Sequence, residues 1–152
     1  MKLSVLFIIG GVLVASDAFA LPPQLPNRSL TPGAVLTADR GSICTPGYSK
    51  TVRNVPAAEK NAVYREYGIT SHRAGEYEVD HLISLELGGS NDIANLWPQS
   101  YLTEPFNAHM KDKLENRLHA FVCSGQISVE EAQHAIVTGW IAAYHHWVSS
   151  AP

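Results

Sequence analysis

The sequence predicts an α+β domain, and three observations carry the prediction. A run with partial two-residue alternation, Tyr77 to Leu87, leads into a Gly88-Gly89 turn. Apolar residues at helical spacing follow from Met110 to Val122, and again from Ala132 to Trp147. Of the 152 residues 45% are hydrophobic and 16% are charged, a composition too apolar for a disordered chain and a length that suits one domain. No internal repeat and no Walker or Rossmann glycine pattern occurs.

Taken in order, residues 1–20 place Lys2 before an apolar stretch, Leu3 to Ala15, and end on Ala18-Phe19-Ala20. That layout predicts a secretory signal peptide. The stretch is shorter than the roughly 20 residues of a membrane-spanning helix, so no stable membrane insertion is expected. Residues 21–33 carry four prolines and predict an extended leader with little packing of its own. The single domain is expected over 34–152. Within it, Ala34 to Val55 has short apolar patches broken by glycine and proline, which predicts loops with one or two short strands. A helix is expected from Ala57 to Tyr67, with Gly68 as its stop. Tyr77 to Leu87 is the first strand of a hairpin, and an extended piece containing Leu96-Trp97 and ending at Pro98 is the second.

Two helices complete the chain. Met110, Leu114, Leu118, Phe121 and Val122 share one face of a helix over about Asn107 to Cys123, stopped by Gly125. Ser128 to Glu131 reads as a capping box, and the stripe from Ala132 through Ile136, Trp140 and Tyr144 to Trp147 reads as core.

The formal net charge of −3 hides an asymmetry. Seven Lys/Arg face three acids between Leu21 and Gly75, whereas three face ten from Glu76 onward. Only the first half therefore offers the basic footprint of a nucleic-acid binder, with Lys50, Arg53 and Arg73 as candidate phosphate contacts. Two cysteines in an exported chain, Cys44 and Cys123, predict a disulfide; the alternative is two buried free thiols.

Chemistry-bearing residues concentrate in Glu78-Val79-Asp80-His81, Asn91 to Trp97 and Asn107 to Asp112. A carboxylate is a hard ligand for Mg²⁺ or a similar cation, and a neutral histidine takes a proton from water at neutral pH. Asn107, at a helix start, offers a second oxygen. Asp80 and His81 point to opposite sides of a regular strand, so a bend would be needed for both to serve one site. Bland roles fit several neighbours. Glu78 reads as an outer carboxylate or an exposed strand residue, Glu115 and His119 as a metal pair or a structural hydrogen bond, and Arg117 as a phosphate contact or an ion-pair partner.

Asp80-His81, Asn95 fourteen residues after His81, and Asn107 on the next helix together resemble the HNH endonuclease motif of the ββα-metal fold. Ser42 to Tyr48, Asp80 through Leu85-Glu86-Leu87-Gly88-Gly89 to Pro98, and Lys111 to His119 also resemble small exported bacterial HNH-like proteins. The motif spans residues 77–119, and the wider likeness spans most of the domain. The resemblance implies a ββα-metal core with additional helices, mainly C-terminal. It implies Asp80 and Asn107 as metal ligands, His81 as general base and Asn95 as the residue that holds His81 in place. Pro98, Pro105 and the lack of zinc-binding cysteines depart from the pattern, so His109 competes with Asn107 for the last ligand position. Lys111, in the same helix text, joins the expected substrate contacts. The implied function is an exported (periplasmic or secreted) monomeric endonuclease of low sequence specificity. Its expected ion is Mg²⁺ ahead of Mn²⁺, Ni²⁺ or Zn²⁺, and its substrate DNA ahead of RNA. The alternative is a catalytically silent protein that binds nucleic acid or another polyanion.

Overall fold

Residues 25–149 are described by the computed structural model; the expected signal peptide lies outside them. The central element is an antiparallel hairpin of β1 (Tyr77–His81) and β2 (Leu96–Ser100), in register Tyr77 to Ser100 and His81 to Leu96. β1 is shorter than the apolar alternation suggests. After His81 the chain bends into a 3₁₀ turn, Leu85–Leu87, and Gly88 takes a left-handed φ of 79°. Leu82, Ile83, Leu85 and Leu87 are thus buried from a folded-back loop instead of from a strand face. β2 runs two residues past Pro98, which a two-stranded sheet tolerates because both of its strands are edges.

Upstream, the strands expected within 34–55 are replaced by two short helices, α1 (Arg40–Ile43) and α2 (Tyr48–Val52). The reason is local: the Asp39 carboxylate accepts from the backbone N–H of Gly41 and Ser42 at 3.2 and 2.9 Å and so starts a helix. Val35 contributes only an isolated bridge to Gly89. α3 (Ala57–Glu66) begins after Pro56, and Gly68 follows it in the left-handed region.

The part of the proline-rich segment within the described residues is mostly exposed, as expected for a leader, but it is docked on the hairpin at Thr31 and Gly33. Thr31 is fully buried, and its hydroxyl donates to the Leu96 carbonyl at 2.8 Å and meets Tyr67 Oη at 2.7 Å. Gly33 N–H donates to Ala94 O at 2.9 Å, which draws the segment across the hairpin loop. A threonine hydroxyl and a glycine fit such a crossing, where backbone groups must be satisfied without bulk.

Two long helices cover the hairpin. α4 (Ala108–Ser124) starts at Asn107, whose side chain accepts from Met110 N, and ends at Gly125 with φ 77°. α5 (Val129–Tyr144) starts at Ser128, whose hydroxyl accepts from Glu131 N at 3.0 Å. Gly139 departs from helical geometry inside α5, and a π-type turn, His145–Ser149, follows. Ile43, Leu82, Ile83, Leu87, Trp97, Leu114, Leu118, Ile136 and Trp140 form one core between loop, hairpin and helices. Each fully buried side chain of this size stabilises by about 1.5–3 kcal/mol.

Cys44 and Cys123 form the expected disulfide, with Cα atoms 5.6 Å apart and a sequence separation of 79. It fastens the C-terminus of α1 to the last turn of α4. Among the described residues no helix is long and apolar enough to cross a membrane.

Candidate functional site

Asp80 and His81 end β1, and α4 passes beneath them with Lys111 and Glu115 one helical turn apart. Lys111 is 1% exposed. Its ammonium donates to Asp80 Oδ2 at 2.7 Å, to the His81 carbonyl at 2.8 Å and to Glu115 Oε1. Burial alone would pull its pKa down, but Asp80 and Glu115 outweigh burial and hold the ammonium charged above the ordinary lysine range. Burial raises Glu115 well above the usual carboxylate value despite Lys111 beside it. Lys111 was expected to meet phosphate; in the folded chain it is enclosed by carboxylates instead.

The His81 ring is buried and projects from the other side of the strand, as a regular strand dictates. Its Nε2 lies 3.1 Å from Asn91 Oδ1. The Asn91 amide nitrogen donates to the Val52 carbonyl at 2.8 Å, while Asn91 Oδ1 also accepts from Asn54 N–H at 3.1 Å. A carbonyl accepts only, so the Asn91 nitrogen must face Val52 and its oxygen must face His81. Nε2 therefore carries the proton and Nδ1 keeps its lone pair. Nδ1 has no hydrogen-bond partner among the described residues. Burial lowers the His81 pKa more than the Asn91 bond and Asp80 raise it, and Arg53 and Lys111 lower it further. The ring is thus a neutral base of fixed tautomer.

Asn95 is fully buried and uses its whole hydrogen-bonding capacity. Its oxygen accepts from Ile83 N at 2.9 Å and Ala34 N at 3.3 Å. Its nitrogen donates to Ile83 O at 2.9 Å and Ser90 O at 2.8 Å. Asn95 clamps the loop that follows His81 and makes no contact with the ring itself. Gly89 is enclosed in the same clamp: a Cβ there would lie 1.8 Å from Ile83 O.

Asn107 and His109 are differently placed. Asn107 is nearly buried, its oxygen 3.3 Å from Met110 N and its nitrogen 3.4 Å from Glu104 Oε1. His109 is exposed and packs its ring on Tyr101 at 5.1 Å, and Tyr101 Oη donates to Glu78 Oε2 at 2.6 Å. Burial, then Asp80, raise the Glu78 carboxyl. Asp80 Oδ2 is engaged by Lys111 and Asn107 Oδ1 by the helix start, which leaves Asp80 Oδ1 without a hydrogen bond among the described residues. Among the described residues one trio of His, Cys, Asp or Glu brings its ligand atoms within 4.8 Å, namely Cys44, His119 and Cys123, and there the sulfurs are bonded to each other.

Of the expected phosphate contacts, Arg53 is brought to the site: it is exposed, its charge acts on His81, and it lines a cleft of about 240 Å³ with Glu86, Asp112 and Glu115. Lys50 is exposed on α2. Arg73 pairs with Glu76 at the far end of β1, roughly 16 Å of strand from His81. Arg117 lies 4.3 Å above the Phe121 ring, and His119 Nε2 meets the Ile43 carbonyl at 3.3 Å, so both have structural roles.

Asn91, placed by the sequence only in a chemistry-bearing stretch, is the side chain that meets the His81 ring, a contact that sequence reasoning did not assign. Its only signal is a place in the turn after Gly88-Gly89, where an asparagine ordinarily bonds its own backbone. Comparison of the chain with family models, curated proteins and solved structures found no match.

Proposed function

We propose that this chain is an endonuclease of the HNH type, hydrolysing phosphodiester bonds in DNA first and RNA second, with His81 as general base. The observation that carries the proposal is the His81–Asn91–Val52 relay, which leaves a neutral imidazole with a free Nδ1 lone pair. Nδ1 takes a proton from water as the water oxygen bonds to phosphorus, and the P–O3′ bond breaks with its electron pair leaving on O3′, which solvent protonates. Asp80, held by Lys111, and Asn95, holding the loop, position β1 and its turn. Arg53 and Lys50 contact backbone phosphate, which gives affinity without sequence information. The hairpin followed by α4 supports a ββα-metal reading of the core, and the Cys44–Cys123 bridge supports export to a periplasm or the medium. The protein acts as a monomer.

A second reading, a silent nucleic-acid or polyanion binder, is favoured by one observation: one of the two oxygens of Asp80, the expected metal ligand, is already bound to Lys111. Plasmid and RNA cleavage separates the two. The mature protein is incubated with Mg²⁺, Mn²⁺, Ni²⁺ or Zn²⁺, and with chelator. Cleavage that falls by about 10²–10⁴-fold in His81→Ala is the expected result. Equal cleavage by His81→Ala and wild type would overturn the assigned base, and binding without cleavage under every ion would establish the silent reading.

A further inference from the structure

The trio of metal-ligating groups among the described residues sits where α1 is stapled to α4. Cys44 follows the last residue of α1, and His119 and Cys123 lie one turn apart on the same face of α4. All three residues are half-buried. His119 Nε2 is 3.5 Å from Cys123 Sγ and 3.3 Å from the Ile43 carbonyl. A disulfide brings two sulfurs together wherever it forms, but it does not require an imidazole beside them. A ring nitrogen and a sulfur bound to one tetrahedral Zn²⁺, at about 2.0–2.1 and about 2.3 Å, lie about 3.6 Å apart. The His119–Cys123 pair already has that spacing. Two thiolates on the same ion lie about 3.8 Å apart, so the sulfur–sulfur distance is what has to change. The Cα atoms, 5.6 Å apart, can stay in place, since rotation about each Cα–Cβ bond moves its sulfur.

We infer that reduction of the Cys44–Cys123 bridge creates a zinc site, in which the two thiolates and His119 Nε2 hold one Zn²⁺ and a water completes the tetrahedron. Two soft thiolates and an imidazole select Zn²⁺ over Mg²⁺, Mn²⁺ or Ca²⁺, which prefer oxygen. The site is therefore distinct from the ion expected at Asp80 and Asn107, and it does not rest on phosphodiester cleavage. A small dithiol passes two electrons and two protons to the bridge and becomes a cyclic disulfide. The two protein thiols release those protons as Zn²⁺ binds. In the reverse direction a small-molecule disulfide takes up two electrons and two protons, the Cys44–Cys123 bond re-forms and Zn²⁺ leaves. In the oxidised chain the Ile43 carbonyl accepts from Nε2–H, because a carbonyl only accepts. On meeting the metal, Nε2 gives up that contact and the ring keeps its proton on Nδ1. Either cross-link ties the end of α1 to the last turn of α4, so the arm stays fastened in both redox states.

Zn²⁺ titration of the mature protein, reduced by a dithiol and then freed of it without air, tests the inference, with the oxidised protein as control. Uptake is read by native mass spectrometry and by the Zn²⁺-induced rise in Tm; Co²⁺ serves as a probe through its thiolate-to-metal charge-transfer absorption. Reduced wild type is expected to take up one Zn²⁺ and to regain Tm lost on opening the bridge. The oxidised protein keeps all seven histidines and should bind at least about tenfold more weakly. Reduced His119→Ala should also bind at least about tenfold more weakly than reduced wild type, and re-formation of its bridge on oxidation checks that it folds. His134→Ala, an exposed position on α5, should leave uptake unchanged. No uptake by reduced wild type, equal affinity of the oxidised and reduced forms, or equal affinity of reduced His119→Ala would each overturn the inference. Cleavage by the oxidised protein, present or absent, bears on the nuclease reading alone.

Discussion

Replacing Lys111 by methionine keeps most of the side-chain volume while removing an ammonium that serves Asp80, Glu115 and the His81 carbonyl. Removing one partner of a buried ion pair costs about 3–5 kcal/mol, because the other charge stays behind without a donor. The Asp80 side chain is 16% exposed and that of Glu115 10%, so limited rehydration places the expected loss near the lower end, about 3–4 kcal/mol. For a domain of this size about 4 °C of Tm accompanies each kcal/mol, which makes the shift roughly 12–16 °C. The loss also has a pH signature. Burial already raises Glu115, and without Lys111 it rises further. The folded variant then binds protons more tightly than the unfolded chain, so its deficit is full above the raised folded pKa and shrinks as pH falls through it. Urea unfolding at about pH 8 and about pH 5 reads both quantities. Lys111→Met combined with Asp80→Asn and Glu115→Gln should recover most of the loss, since no stranded charge remains. A deficit under about 1 kcal/mol, or one that stays constant with pH, would refute the buried-pair account.

Cys44→Ser with Cys123→Ser opens a closure across a sequence separation of 79 and should cost about 4 kcal/mol in the chain-entropy model, measured by the same unfolding experiment under oxidising conditions. A loss below about 1 kcal/mol would mean that the arm carrying α1 and α2 is held by packing alone. Asn95→Ala strands buried backbone groups of Ile83 and Ser90, and about 3 kcal/mol is expected, with hydrogen exchange fastest at Ile83 and Ala34. Because burial holds His81 below the ordinary histidine value, its neutral form persists on acidification. The acid limb of cleavage should therefore fall below about pH 6.5, and a limb at or above about pH 7 would exclude His81 as the base.

The hairpin and α4 were legible because each rests on short-range chemistry. The Gly88-Gly89 turn, the Asn107 cap and the Gly125 stop all act within a few residues, and the four-residue spacing of Leu114, Leu118 and Val122 needs only one packing partner. Asn95 was singled out only through the resemblance, as holding His81; its bonds go instead to Ile83 twelve residues away, Ser90 five away and Ala34 sixty-one away. The region 34–55 was misread because helices of four and five residues show no period, and Asp39 acts as a cap where the apolar patches suggest strands. Lys111 was misread because a positive charge in the sequence does not disclose burial, although Glu115 at the following turn was the available sign. The partner of Asn91 is the carbonyl of Val52, a backbone atom 39 residues upstream that no side-chain identity marks.

That last contact has a consequence for how the protein can be watched. The Val52 carbonyl belongs to α2, which follows Cys44 and its bridge to α4, so the position of one imidazole proton on His81 depends on an arm docked from a distant part of the chain. With α2 in place the Nε2–H tautomer is selected; with α2 undocked, Asn91 is free to turn and the ring loses its preference. The ¹⁵N imidazole spectrum of His81 thus serves as a spectroscopic gauge of arm docking. It needs neither substrate nor cleavage, and it would register opening of the disulfide some distance away as exchange between two ring forms.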